Sequence, residues 1–128
     1  MASPDVIWQV IKRGNAFMRQ SVNHTRFSKE DGNLTNKHNF ASSGLANERA
    51  IGLIDGEGVG AVKMTIKRPA KAANPVKAVH TASMKKNNKR LMKAVKGVAG
   101  KYRPDMVTTA CRRVSALHKA TRAAKAAK

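Results

Sequence analysis

Positive charge is gathered into the second half of this chain, and that asymmetry constrains any fold it can reach. Residues 1–64 carry eight Lys and Arg against six Asp and Glu, while residues 65–128 carry eighteen against the single acid Asp105. Repulsion among so many like charges opposes compaction, so the cations have to be spread outward and offset by a polyanion. The core available to resist that repulsion is small. Hydrophobic residues make up 41% of the 128, but many of them are Ala and aromatics are only 4%. What remains for a core is Val, Ile, Leu and Met. Ordering each residue costs about 1–2 kcal/mol of backbone entropy. The free chain is therefore expected to be partly folded at low salt and completed by its partner.

The totals also narrow the chemistry. With one cysteine, Cys111, neither an internal disulfide nor a multi-cysteine zinc site can form. His24, His38, His80 and His118 do not pair with one another or with Cys111 at ligand spacing, so no metal and no cofactor is expected. No apolar run approaches the ~18 residues of a membrane span, and no secretion signal opens the chain. The glycines Gly56, Gly58 and Gly60 lack the lysine pattern of a phosphate loop and read as a hairpin turn. Catalysis has no foothold either. Cys111 sits between Ala110 and Arg112 as a small core filler, and the clustered acids Glu30-Asp31 and Asp55/Glu57 fall at turns. The chain is not expected to be an enzyme.

Local patterns predict a short helix, several short strands and two further helices, in that order. Ser3-Pro4-Asp5 is a helix start, followed by Val6, Ile7, Val10 and Ile11 at helical spacing, with Lys12 and Arg13 in the last turn and Gly14 as the stop. Trp8 and Phe17 are expected in the core. Short strands are expected near Phe17 and Phe27, then a long Asn-rich loop to residue 48, of a length usually reserved for binding. Arg49–Asp55 and Val59–Arg68 form the central hairpin of a small antiparallel sheet, with Val62, Met64 and Ile66 on the packing face and cations on the other. Residues 67–77 read as an extended basic linker, and Lys77–Ser83 as a further short strand. Two basic amphipathic helices close the chain. The first is expected over Met84–Val98, with Gly97 and Gly100 around its stop. The second starts at Pro104-Asp105 and carries Met106, Val107, Ala110, Val114 and Leu117 on its stripe. In domain terms, residues 1–117 form one domain and 118–128 an Ala/Lys tail that can be helical but has nothing to pack against.

The cations themselves are the strongest chemical signal. Lys86, Lys89, Arg90, Lys93 and Lys96 lie opposite the apolar stripe of the first C-terminal helix with no Glu or Asp among them. A solvated face normally interleaves acids for solubility and pairing. Phosphate contact is the favoured reading, with an anionic membrane surface and plain solvation as the alternatives. Lys85 completes the run KKNNKR, which also has the composition of a nuclear import signal. The remaining candidate RNA contacts are Lys37 and His38 in the loop, Lys63, Lys67, Arg68 and Lys71 on the hairpin and linker, Lys101, Tyr102 and Arg103 before the last helix, and Arg112 and Arg113 on it. Phe40 and Tyr102 are candidates for stacking on bases. Such cations position a protein on a backbone and read little sequence.

Several segments together resemble a known family. VIWQVIKRGNAF, Asn33-Leu34, Asn39-Phe40, Gly44-Leu45, Ala50-Ile51-Gly52, the basic strand Val62–Arg68 and above all Lys101-Tyr102-Arg103-Pro104-Asp105-Met106, followed by Arg112-Arg113 and Ser115-Ala116, are similar to the eukaryote-specific large-subunit ribosomal protein twenty-eight family. The resemblance covers about residues 5–117. It implies an α+β fold, a small antiparallel sheet with helices before and after it, and a structural constituent of the cytosolic large ribosomal subunit, bound to ribosomal RNA and to neighbouring ribosomal proteins, with a nucleolar assembly stage. It implies no catalysis, no small-molecule substrate, no membrane and no homo-oligomer. The acid-poor second half and AAKAAK tail leave a chromatin-type DNA-binding protein as the alternative.

Overall fold

The computed structural model describes residues 2–58 and 60–127. The architecture is α+β, with helices on one face of a three-stranded sheet and a long ordered loop on the other. Val59, expected to open the return strand, lies outside the described residues, as do Met1 and Lys128 at the ends of the two expected domain segments.

Helix α1 (Pro4–Ile11) forms as its cap predicts: Ser3 Oγ accepts from the Val6 N–H, Pro4 occupies the first turn and Asp5 sits near the positive dipole end. The helix stops at Ile11, so Lys12 and Arg13 lie beyond its last turn. It buries no residue fully. Trp8 packs instead on the loop, its ring 4.9 Å from His38 and 5.9 Å from Phe40 between centroids. Phe17 is 45% exposed. The expectation that Trp8 and Phe17 are core is thus corrected. The sheet, the two long helices and Leu34 of the loop fill the core, and α1 docks outside it.

Strands β1 (Met18–Gln20) and β2 (Arg26–Ser28) form a separate two-stranded hairpin, its turn using His24 at φ 59°. The main sheet runs β3 (Ile51–Asp55), β4 (Ala61–Lys67), β5 (Val79–Lys85), antiparallel throughout and in that spatial order. Gly58 at φ 103° and Gly60 at φ 72° make the β3–β4 turn, where a side chain would be strained. Register places Ile51 opposite Ile66 and Leu53 opposite Met64. Ile51, Leu53, Val62 and Met64 join Leu91, Val95, Ala99, Ala110 and Val114 in one buried cluster.

The second face of this sheet is not the cationic surface its alternation predicts. Ala61 and Thr65 are buried there. The loop from Lys29 to Ala50 lies across it so closely that a Cβ on Gly52 would stand 1.6 Å from the Asp31 carbonyl oxygen. The loop supplies its own scaffold. Asn33 Nδ2 donates to Glu30 Oε1 and to the Lys37 carbonyl, and Asn33 Oδ1 accepts from the Thr35 N–H and hydroxyl. Asn47 Nδ2 donates to the Phe40 and Ser43 carbonyls. These asparagines replace a backbone ladder, so the loop is ordered without regular structure.

Residues 67–77 are not an extended linker. They form a 3₁₀ turn (Pro69–Lys71) and the short helix α2 (Pro75–Ala78), capped by Asn74 Oδ1 accepting from the Lys77 N–H. The Arg68 N–H donates to the Ala78 carbonyl, closing the excursion and bringing β5 back beside β4.

Helix α3 (Asn88–Tyr102) is displaced from the expected Met84–Val98. Met84 belongs to β5, opposite Val62. Gly97 and Gly100 lie inside the helix, each with open space where a Cβ would go. A 3₁₀ turn (Pro104–Met106) leads into α4 (Val107–Ala126). The segment from His118 onward continues that helix. It has neighbours: a Cβ on Gly60 would stand 3.5 Å from His118 Nε2, and Ala120, Thr121 and Ala124 line a shallow groove with Asp55, Gly56 and Gly58.

Candidate nucleic-acid interface

The junction of β5 and α3 gathers the densest charge. Lys85 ends the strand, Lys86 and Asn87 bridge, and Arg90 and Lys93 lie on successive turns of the helix. With Ala94 they line an open concavity of about 600 Å³ that contains no carboxylate. Lys85, Lys86, Arg90 and Lys93 are all exposed. Asn87 stands at the N-cap of α3, but its side chain makes no capping hydrogen bond. First-turn N–H groups without a side-chain acceptor, at the positive end of a helix dipole, favour an anion. The uncapped helix start therefore adds to the same concavity. Lys89, Lys96 and Lys101 extend the exposed charge along α3, and Arg112 adds to it on α4.

Other candidate cations are occupied within the fold. Lys67 Nζ donates to three loop carbonyls, those of Gly44 (3.0 Å), Leu45 (3.4 Å) and Asn47 (2.9 Å). Burial pushes its ammonium below the ordinary lysine value, and the carboxylates of Glu30 and Glu48 act in the opposite direction. Arg103 is a clamp: Nε and Nη2 donate to the Asp105 carboxylate, Nη1 to the Arg49 carbonyl and Nη2 to the Ala41 carbonyl. That hydrogen bond from Arg103 holds the Asp105 carboxyl below the usual carboxylate range. The Tyr102 hydroxyl donates to the Lys67 carbonyl, and burial pushes its pKa up. Arg49 lies over its ring at 5.7 Å. Arg113 Nε donates to the Leu53 carbonyl, and His38 is bonded through Nε2 to the Lys12 carbonyl while it packs on Trp8.

Of the other predicted residues, Lys37 is exposed on the loop, Arg68 and Lys71 are exposed on the β4–β5 excursion, and Lys63 is half-buried with Glu57 at 3.9 Å. They do not line the β5–α3 concavity. The run KKNNKR thus straddles a strand end and a helix start, whereas the sequence reading placed it along one helical face. Asn87 and the open helix N-terminus escaped that reading. The alternation Val79, Thr81, Ser83, Lys85 was the signal for them, since a strand through residue 85 forces the helix to begin later. Among the described residues no group of three His, Cys, Asp or Glu is placed to hold a metal, and no helix is long and apolar enough to cross a membrane.

Comparison with known proteins bears on the whole of this arrangement. Residues 6–120 match the model of the Ribosomal L28e protein family. The large ribosomal subunit protein eL28 of Dictyostelium discoideum is 34% identical over 126 residues, covering 98% of this chain and 93% of that protein. The large ribosomal subunit protein eL28 of Schizosaccharomyces pombe is 32% identical over 122 residues, covering 90% of each. A match across the helices, the sheet and the cationic junction together, with relatives of nearly the same length, means that the chain belongs to the Ribosomal L28e protein family.

Proposed function

We propose that this protein is a structural constituent of the cytosolic large ribosomal subunit and that it holds ribosomal RNA through the β5–α3 concavity. The observation that carries the RNA contact is the convergence of Lys85, Lys86, Arg90 and Lys93 on an uncapped helix start with no carboxylate in the lining. Phosphate oxygens are the ligand such a surface fits: the ammonium and guanidinium groups neutralise charge, and the helix N–H groups add directional donors. Lys89, Lys96, Lys101 and Arg112 extend the track for a second stretch of backbone. Lys37, Arg68 and Lys71, exposed outside that concavity, are further cations available to backbone phosphates. The role is architectural: cations position the RNA and the folded core fixes their spacing. Neighbouring ribosomal proteins complete its surroundings. The protein reaches its place through a nucleolar assembly stage and then resides in cytoplasmic ribosomes.

The test is RNA binding by the full chain across a salt series, alongside the triple variant Lys86→Gln, Arg90→Gln, Lys93→Gln. Contact with about ten phosphates gives a log–log slope of several units, and the triple variant lowers that slope by about two to three. In cells, the wild-type chain sediments with large subunits through a moderate salt wash and the variant is depleted from them. A flat salt dependence, or tighter binding to duplex DNA than to structured RNA, overturns the reading.

A further inference from the structure

The acids of this chain are distributed as unevenly as its cations. Two neighbouring concavities, of about 260 and 250 Å³, lie where the start of α1, the loop and the β4–β5 excursion meet. They share Leu45, Lys67 and Val79. Glu48 lines the first, and Glu30 and Asp31 line the second. Among the described residues Lys67 is the only cation on either wall, and its ammonium already serves three loop carbonyls. Among the described residues none of these three carboxylates is in an ion pair. The rest of the lining is largely apolar and partly open: Phe17 is 45% exposed, Leu45 37% and Val79 47%. A chain of net charge +19 thus leaves one apolar trough with unpaired negative walls.

We propose that this trough docks an extended basic segment of another protein, one in which Lys or Arg flanks an apolar side chain. Charge complementarity selects that occupant. A nucleic acid is repelled by Asp31 and Glu48, and an acidic segment is drawn to the β5–α3 concavity instead. The apolar side chain fills the space beside Leu45 and Val79, while the flanking cations meet Glu48 on one side and Asp31 on the other. The backbone geometry suits an extended partner. Val79, on the trough wall, opens β5, and among the described residues β5 pairs only with β4, so an unpaired strand edge starts at the trough. The molecule is then two-sided, with RNA on the β5–α3 junction and a basic protein segment on the loop side.

The probe is a labelled eight-residue peptide alternating Lys with Leu and Val, titrated by fluorescence anisotropy into the full chain. Two control peptides replace the apolar residues by Ser or the lysines by Glu. A protein of this net charge repels cationic peptides in general, so binding of the basic apolar peptide reports a local site. It should bind at least tenfold tighter than the Ser peptide, and Asp31→Lys with Glu48→Lys should weaken it tenfold or more. Val79→Ser should weaken it severalfold. The Glu peptide should respond to Lys86→Gln/Arg90→Gln/Lys93→Gln and not to the trough variants. Circular dichroism confirms the fold of each variant, and RNA binding by the trough variants should not fall below wild type, which separates this proposal from the RNA reading. No binding of the basic peptide overturns it, as does equal binding by the Asp31→Lys/Glu48→Lys variant. Equal binding of a neutral apolar peptide, which marks a plain apolar cavity, also overturns it, and so does self-association of the chain that the trough variants abolish.

Discussion

Lys67 shows how surroundings decide what a charged residue does. By alternation along β4 it belongs on an outward cationic face, yet its ammonium is held by the carbonyls of Gly44, Leu45 and Asn47. Nothing in the local sequence KMTIKRP reports that a loop twenty residues upstream will cross it. Tyr102 and Arg103 make the same point, because their partners Lys67, Arg49 and Ala41 are distant in the chain. By contrast, the packing roles of Val62 and Met64 were legible, since strand alternation fixes them without knowledge of distant segments. Gly52→Ala drives a Cβ into the Asp31 carbonyl, and the loop has to lift to relieve it. It should cost about 3 kcal/mol or more, read as a fall in the urea midpoint. Asp105→Asn removes the charged acceptor of the Arg103 clamp. The Asp105 pKa is depressed in the folded chain, so its contribution is present above the ordinary value of 3.8 and lost as pH falls through the folded value. The variant should therefore melt below wild type at pH 7, and the gap should close below about pH 4.

At the level of elements, caps and alternation carried most of the information and helix boundaries the least. Ser3-Pro4-Asp5 starts α1 as expected, and the 3₁₀ turn Pro104–Met106 delivers the chain to α4 where the Pro-Asp pair predicts. The misplacement of α3 had a physical cause. Met84, Leu91, Val95 and Val98 share a helical stripe, but residues 79–85 also alternate, and tertiary pairing with β4 settled the competition for the strand. The glycines misled for a related reason. Gly97 and Gly100 cost helix stability in isolation, yet packing of Leu91, Val95 and Ala99 holds the helix through them to Tyr102. Replacing each by Ala fills open space on an exposed helical surface. Each change should stabilise the free protein by about 0.5–1 kcal/mol, seen as a melting temperature higher by a few degrees. A lower melting temperature would mean that these positions are not helical in solution.

For the molecule as a whole, charge repulsion and a small core act against each other. The fold class and the concentration of cations near residues 85–96 were readable from pattern alone, and the loop's internal order was not, because it depends on asparagine side chains finding particular carbonyls. Among the described residues the buried cluster holds ten side chains and no aromatic, and it resists the repulsion of a +19 chain. Salt screens that repulsion over a Debye length of about 10 Å at 0.1 M. The melting temperature of the free protein should therefore rise with added monovalent salt, and low salt should broaden the transition. A sharp melt at the same temperature in 10 mM and 300 mM salt would contradict this. The seam between β5 and α3 carries this balance into assembly. Lys85 comes from a strand that pairs with β4, Lys86 from the bridge, and Arg90 and Lys93 from a helix that packs on α4. Until both tertiary contacts form, the four charges are not held on one surface. On the proposed RNA contact, a phosphate seated there clasps two elements and slows their separation. Adding RNA to the native chain should then raise its resistance to proteolysis most between residues 79 and 102, coupling order in the protein to the binding of its partner.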